Sequence, residues 1–116
     1  MGENIREINS IEELDSLLDG SNERPVLLFK HSLTCPISSH AFREFESFLE
    51  SAAPNVSCNL ITVQTARPVS NEAAARLNLR HETPQAILIR NGREVWNASH
   101  FAITSESLHE AFRTVE

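Results

Sequence analysis

Residues 27–50, LLFKHSLTCPISSHAFREFESFLE, join a short apolar run to an amphipathic segment through a cysteine and a proline. The run at 26–30 is bounded by a turn signal, which is typical of a buried parallel strand. The segment at 36–51 predicts a helix, because its apolar residues recur on one face and Pro36 suits the first helical position. Cys35 is therefore predicted to lie at the N-terminus of a helix that follows a buried strand.

Strands and helices also alternate through the rest of the chain. Ser10 and Glu13 have the spacing of a capping box, and Gly20 closes the helix that they begin. Asn91-Gly92 is a strong hairpin signal between two strands. The predicted strands are 4–8, 26–30, 57–64, 85–90 and 93–99, and the predicted helices are 11–20, 36–51, 71–78 (capped by Ser70 or Asn71) and 104–115.

The resulting order is β-α-β-α-β-α-β-β-α, which is three parallel βα steps followed by a hairpin and a terminal helix. This order predicts an α/β protein with a thioredoxin-like fold, in which a central mixed sheet of about five strands is flanked by helices. No linker or repeat interrupts it, so residues 1–116 are expected to form one domain.

Charge and hydropathy exclude several classes of partner. The formal net charge is −6 without a local cluster of Lys and Arg, which disfavours nucleic acid. The longest apolar runs have four residues, whereas a membrane span needs about 20, so no membrane association is predicted. The N-terminus is polar and has no apolar signal segment, which makes the cytoplasm the expected compartment.

Cys35 is the candidate nucleophile. The thiolate is the reactive form of a cysteine, and the free N–H groups and positive dipole end of a helix N-terminus favour it. Lys30 and His31 would add positive potential if they pointed toward the sulfur. The alternative is that Cys35 is a small buried apolar residue without reactivity.

Ser38 occupies the position at which dithiol oxidoreductases carry a second cysteine. A hydroxyl cannot form a disulfide, but it can donate a hydrogen bond to the Cys35 thiolate across one helical turn. The alternative is a merely polar first-turn residue. Cys58 is predicted at the opposite end of the sheet from Cys35, beyond the reach of a disulfide. Cys58 is therefore expected to be structural, and a resolving thiol must come from outside the chain.

Thr83-Pro84 directly precedes a predicted strand. At this place in the fold we expect a cis proline that faces the cysteine, with the backbone of Thr83 free to pair with an extended thiol substrate. The alternative is an ordinary trans turn proline. His81 lies near this turn, either at the rim of the site or as a solvated loop residue.

Histidines also flank Cys35 along the chain. The spacing from His31 to Cys35 to His40 is His-x3-Cys-x4-His, which matches no common zinc pattern, so no metal site is predicted.

Four segments together resemble a known family: TCPIS (34–38), ARPVSN (66–71), RHETPQAIL (80–88) and NGREVWNASHFAIT (91–104). They are similar in order and spacing to the YtxJ proteins of the bacillithiol system, the monothiol bacilliredoxins. The resemblance runs from about residue 24 to residue 115. It implies a thioredoxin-like fold and an active site at TCPIS.

The resemblance also implies an activity, which is the removal of bacillithiol from S-bacillithiolated proteins by thiol–disulfide exchange. Cys35 would attack, Ser38 would fill the resolving position without a thiol, and Thr34 and Pro36 would support the site. No bound cofactor is implied, and bacillithiol itself would be the thiol co-substrate. Partners would be S-bacillithiolated proteins and a low-molecular-weight thiol.

Bacillithiol carries a malate group, so an arginine near the site would suit it. Arg67 and Arg80 are the candidates, together with His81 at the rim of the site.

Two other functions fit the same motif less well. Some monothiol glutaredoxin-like proteins bridge an iron–sulfur cluster, but they use C-G-F-S, and Pro36 crowds the place where glycine leaves room. A non-catalytic interaction module, with Cys35 inert, is the other alternative.

Overall fold

The computed structural model describes residues 5–51 and 57–114. Within these residues the chain forms five strands and four α-helices in the predicted order, together with one short 3-10 helix that was not predicted. Their bounds are β1 Ile5–Glu7, α1 Ile11–Gly20, β2 Val26–His31, α2 Pro36–Ser51, β3 Ser57–Thr62, α3 Arg67–Leu77, β4 Gln85–Arg90, β5 Arg93–Ser99, the 3-10 helix His100–Ala102 and α4 Ser105–Arg113.

The five strands form one mixed sheet in the order β1-β3-β2-β4-β5. Strands β1 and β2 run parallel to β3, whereas β4 is antiparallel to both β2 and β5. Strand β2 lies at the centre, pairing Leu27 with Cys58 of β3 and Lys30 with Gln85 of β4. The end of β2 therefore leads the chain out between β3 and β4.

Each face of the sheet carries its own apolar core. Leu28 belongs to the core that includes residues of α1 and α3, and Phe29 belongs to the core that includes residues of α2 and α4. Because successive side chains of a strand point to opposite faces, Lys30 follows Leu28 toward α3, and His31 follows Phe29 toward α2. This alternation separates the two polar residues at the end of β2.

Helix α3 begins at Arg67, earlier than predicted, with Ala66 at the N-cap. Pro68 fits the first turn, where a missing N–H is tolerated, and the N–H of Ser70 donates to the carbonyl oxygen of Ala66 (3.0 Å). The prediction that Ser70 or Asn71 caps this helix is therefore wrong, and Ser70 lies buried within the helix.

Smaller differences concern the ends of other elements. Strand β3 ends at Thr62 rather than at residue 64, and α4 ends at Arg113. The predicted extensions to Asn4 and Val115 fall outside the described residues. No helix in the described part of the chain combines the length and apolarity needed to cross a bilayer.

Candidate active site

Cys35 lies in the short turn between β2 and α2, immediately before Pro36, as predicted. Its carbonyl oxygen accepts a hydrogen bond from the N–H of Ser39 (3.1 Å), which begins the helical pattern. Cys35 is half-buried and is not bonded to Cys58. The thiol therefore sits at the positive end of the α2 dipole, accessible from solvent.

Ser38 has a different role from the one expected. It is fully buried, and its Oγ accepts a hydrogen bond from the N–H of Ser32 (2.9 Å) and lies 2.7 Å from Nδ1 of His31. No hydrogen bond joins Ser38 to Cys35 among the described residues, so that expectation is wrong for this structure. The side chain points from the first turn of α2 back toward the end of β2, where it holds the loop that carries Cys35.

His31 packs on the same side of the sheet as α2. Its ring stacks on Phe42 with centroids 5.0 Å apart and an interplanar angle of 28°. Burial lowers the pKa of His31, so the neutral ring is favoured. His31 thus contributes hydrogen bonding at Nδ1, in place of the positive potential that the sequence suggested.

Gln64 also holds the active-site loop, which sequence reasoning missed. Its Oε1 accepts from the N–H of Leu33 (3.1 Å), and its Nε2 donates to Oγ of Ser32 (2.8 Å) and Oγ1 of Thr34 (3.4 Å). Gln64 follows β3, and the carboxyl ends of the parallel strands β2 and β3 meet at one edge of the sheet. That shared edge was the available signal for its position.

The Thr83-Pro84 bond is cis, as predicted. Lys30 pairs with Gln85 at the start of β4, so Thr83 and Pro84 precede β4 at the end of the sheet where β2 leads toward Cys35. The carbonyl oxygen of Pro84 accepts a hydrogen bond from the N–H of His100 (3.1 Å). The pair Thr83-Pro84 therefore lies at the same end of the sheet as the loop that carries Cys35.

Lys30 is a fully buried amine on the α3 side of the sheet. Its Nζ donates to the carbonyl oxygen of Ser70 (3.1 Å) and lies 3.2 Å from Nδ1 of His81. Burial, aided by the charge of Arg67, lowers the pKa of Lys30 to about 8. This lysine points away from α2 and toward α3, and its place in an otherwise apolar strand was the signal that it is unusual.

Of the three candidate residues for binding an anionic substrate, the structure brings two together. Arg67 opens α3 with an exposed side chain. The pKa of the half-buried His81 is lowered by burial and by the charges of Lys30 and Arg67. Arg80 is separate, since its side chain is 91% exposed and lies 3.8 Å from Glu82.

Cys58 is buried in β3 opposite Leu27, at the end of β2 remote from Cys35. Burial raises the pKa of the Cys58 thiol to about 12, which keeps it protonated and unreactive at neutral pH. This location agrees with the prediction that Cys58 cannot resolve a disulfide at Cys35.

Two large apolar side chains are exposed around the site. Leu33 in the loop is 63% exposed, and Phe101 in the 3-10 helix is 65% exposed. Phe101 follows His100, the residue bonded to Pro84. Within residues 5–51 and 57–114, no three His, Cys, Asp or Glu side chains converge as metal ligands would.

Solved structures with this fold define the class of the protein. Thioredoxin from Fasciola hepatica has a TM-score of 0.77 at 15% identity, covering 96% of this chain and 99% of that one. Thioredoxin from Trypanosoma brucei brucei also has a TM-score of 0.77, at 13% identity over 96% of this chain and 89% of its own. The chain is therefore an α/β protein with the thioredoxin fold, as predicted from the order of its elements.

Two further matches narrow the class to a family. A thioredoxin-fold protein proposed to be an oxidoreductase is 32% identical, with a TM-score of 0.84 and 96% of each chain covered. Residues 6–108 match the family of the monothiol bacilliredoxin BrxC. The chain belongs to the monothiol bacilliredoxin family, which confirms the resemblance seen in the sequence.

Proposed function

We propose that this protein is a monothiol thiol–disulfide oxidoreductase that removes bacillithiol from S-bacillithiolated proteins through Cys35. The observation that carries the proposal is a half-buried cysteine at the N-terminus of α2, with Ser38 in the resolving position and Cys58 buried at the far end of the sheet. Such a site can form a mixed disulfide but cannot close an internal one. Membership of the monothiol bacilliredoxin family supports bacillithiol as the thiol.

The reaction is two successive exchanges. The Cys35 thiolate attacks the bacillithiol sulfur of a modified protein, so a Cys35–bacillithiol disulfide forms and the target cysteine leaves as a thiolate. The thiolate of a second bacillithiol then attacks that sulfur, which releases bacillithiol disulfide and restores the Cys35 thiolate. A dithiol partner could perform the second step in place of free bacillithiol.

The surroundings of Cys35 suit a protein substrate that carries a small anionic thiol. Leu33 and Phe101 offer exposed apolar surface for the polypeptide, and the backbone of Thr83 would pair with an extended segment of it. Arg67 is the candidate for the malate carboxylates, because its side chain is exposed at the end of the sheet where the active-site loop lies.

Intact mass spectrometry tests this proposal. The reduced protein is incubated separately with the disulfides of bacillithiol, glutathione and cysteine. We expect one adduct per chain, fastest with bacillithiol disulfide, that is lost in Cys35→Ser and retained in the matched control Cys58→Ser. Equal rates with all three disulfides would remove bacillithiol selectivity, and adduct formation in Cys35→Ser would remove Cys35 as the nucleophile.

A further inference from the structure

The exchange chemistry leaves the buried amine of Lys30 without a function. Its hydrogen bonds to the carbonyl oxygen of Ser70 and to Nδ1 of His81 connect β2 to α3 and to the loop before β4. An ammonium group has donors and no acceptor. Nδ1 of His81 must therefore accept from a protonated Lys30, which places the ring proton on Nε2.

Nε2 of His81 lies 3.0 Å from Oγ1 of Thr83. With the proton on Nε2, the ring donates to the Thr83 hydroxyl, whose own hydrogen is then free to donate elsewhere. The Oγ of Ser70 lies 3.4 Å from Nδ1 of His81, a longer contact that also places a hydroxyl on the acceptor side of the ring. These contacts form a hydrogen-bonded chain in which Lys30 donates to His81 and His81 donates to Thr83.

This hydrogen-bonded chain ends at Thr83, at the end of the sheet where the active-site loop lies. Lys30 pairs with Gln85 across β2 and β4, which sets Thr83, two residues before Gln85, at the end of the sheet where the loop that leads to Cys35 begins. Thr83 is half-buried, and its hydroxyl is held by the contact with His81.

We propose that Lys30, His81 and Thr83 form a proton-donating chain that protonates the thiolate expelled when Cys35 attacks a disulfide. This inference rests on the proposed function. In the step, a sulfur–sulfur bond to Cys35 forms as the substrate disulfide breaks, and the departing sulfur carries the electron pair. Thr83 gives its hydroxyl proton to that sulfur and receives one from Nε2 of His81, while Nδ1 receives one from Lys30, which becomes a neutral amine. Solvent then returns a proton to this hydrogen-bonded chain, which restores the Lys30 ammonium.

The charges around Lys30 and His81 are consistent with proton transfer from Lys30 toward Thr83. The charge of Arg67 on α3 favours loss of a proton from both Lys30 and His81, whereas the charge of Glu82 favours the charged form of His81. Glu82 lies 3.8 Å from the guanidinium of Arg80, which offsets part of its charge. The pKa of Lys30, about 8, is close to the value of about 8.5 for a cysteine thiol, so transfer between them is nearly balanced.

The proton-donating chain is tested by comparing two disulfides whose leaving thiolates differ in basicity. Rates of exchange with Cys35 are measured for an aromatic disulfide, dithiobis(nitrobenzoate), and for an alkyl disulfide, hydroxyethyl disulfide. The aromatic thiolate has a low pKa and leaves readily without a proton, whereas the more basic alkyl thiolate is a poorer leaving group that gains more from protonation. In Thr83→Val we expect the alkyl rate to fall about tenfold, below the usual general-acid effects of about 10²–10⁴-fold, and the aromatic rate to change less than about twofold.

Two further variants complete the experiment. Lys30→Met is expected to show the same selective loss, and Thr114→Val, the same substitution at the end of α4, is expected to change neither rate. In the wild type, the alkyl rate relative to the aromatic rate should decline as pH rises through about 8, where Lys30 loses its proton. That decline should be absent in Thr83→Val.

Failure of the proton-donating chain and failure of the proposed function give different outcomes. If Thr83→Val lowers the alkyl and aromatic rates equally, or lowers neither, the proton-donating chain is overturned while monothiol exchange stands. A wild-type protein that exchanges with neither disulfide would overturn the proposed function itself. If Lys30→Met fails to fold, Thr83→Val and its pH profile still decide the matter.

Discussion

The hydroxyl oxygen of Ser38 lies 2.7 Å from Nδ1 of His31 and accepts a hydrogen bond from the N–H of Ser32. The side chain that stands in the resolving position therefore bonds backward to the end of β2. It connects the first turn of α2 to the strand that precedes Cys35. In this protein the monothiol site has gained a structural contact where a dithiol site would have a second sulfur.

Ser38→Ala should destabilise the fold. Loss of Oγ leaves the buried N–H of Ser32 without its acceptor, which costs roughly 1–3 kcal/mol in free energy of unfolding. Ser39→Ala is the matched control, because Ser39 is the next residue and is exposed; it should change the free energy by less than about 0.5 kcal/mol. Urea unfolding measures both, and equal stabilities of the two variants would contradict this role of Ser38.

Several elements could be predicted to the residue because their signals are local. The Asn91-Gly92 turn fixed the hairpin of β4 and β5, and Pro36 fixed the start of α2. Helix α3 begins four residues before its predicted start, because Ser70 and Asn71 are good cap residues whose signal competes with that of Pro68. Local patterns compete at helix ends, and the core contact of Val69 favours the longer helix.

In the active site, too, some features could be predicted from local signals and others could not. Cys35 and the cis bond at Thr83-Pro84 followed from their places in the order of elements. The contact of Lys30 with His81 joins residues 51 positions apart, and that of Gln64 with Leu33 joins residues 31 apart. Such contacts depend on strand register and on the path of loops, which no single-sequence pattern specifies.

Gln64→Ala should loosen the active-site loop. Its side chain is exposed, so stability should fall by only about 1 kcal/mol, whereas misplacement of Cys35 should slow exchange with an aromatic disulfide by about an order of magnitude. Hydrogen exchange at the amide of Leu33 should rise about fivefold, the effect of roughly 1 kcal/mol.

Gln64→Glu separates the two halves of this contact. A carboxylate keeps an acceptor for the N–H of Leu33 but loses the donors to Ser32 and Thr34. We expect protection of the Leu33 amide to be retained while the exchange rate of Cys35 falls. An unprotected Leu33 amide in Gln64→Glu, or full activity in Gln64→Ala, would show that Gln64 does not hold the loop.

Arg67→Ala should reduce the preference for bacillithiol over cysteine disulfide by about fivefold, the effect of roughly 1 kcal/mol for one partly solvated charge pair. Arg80→Ala is the matched control, because the Arg80 side chain is 91% exposed and lies near Glu82. It should alter the preference by less than about twofold. Paired rate measurements with the two disulfides report the ratio, and an unchanged ratio in Arg67→Ala would remove this residue from substrate binding.

The charge on Lys30 should make stability depend on pH above neutrality. Its pKa is lowered from 10.5 to about 8 in the fold, so between these values the unfolded chain binds more protons and stability rises with pH. The rise is at most about 3 kcal/mol. Burial raises the pKa of Cys58 from 9.0 to about 12, which gives the opposite slope above pH 9.

Lys30→Met separates these two contributions, because Cys58 titrates alike in both proteins. Urea unfolding of the wild type and the variant at pH 7 to 10 should give curves that diverge in favour of the wild type as pH rises above about 8. At pH 7 the variant should lose less stability than the two hydrogen bonds of Lys30 would suggest, since it no longer buries an ammonium group. Parallel curves across this range would mean that Lys30 keeps its ordinary pKa in the fold.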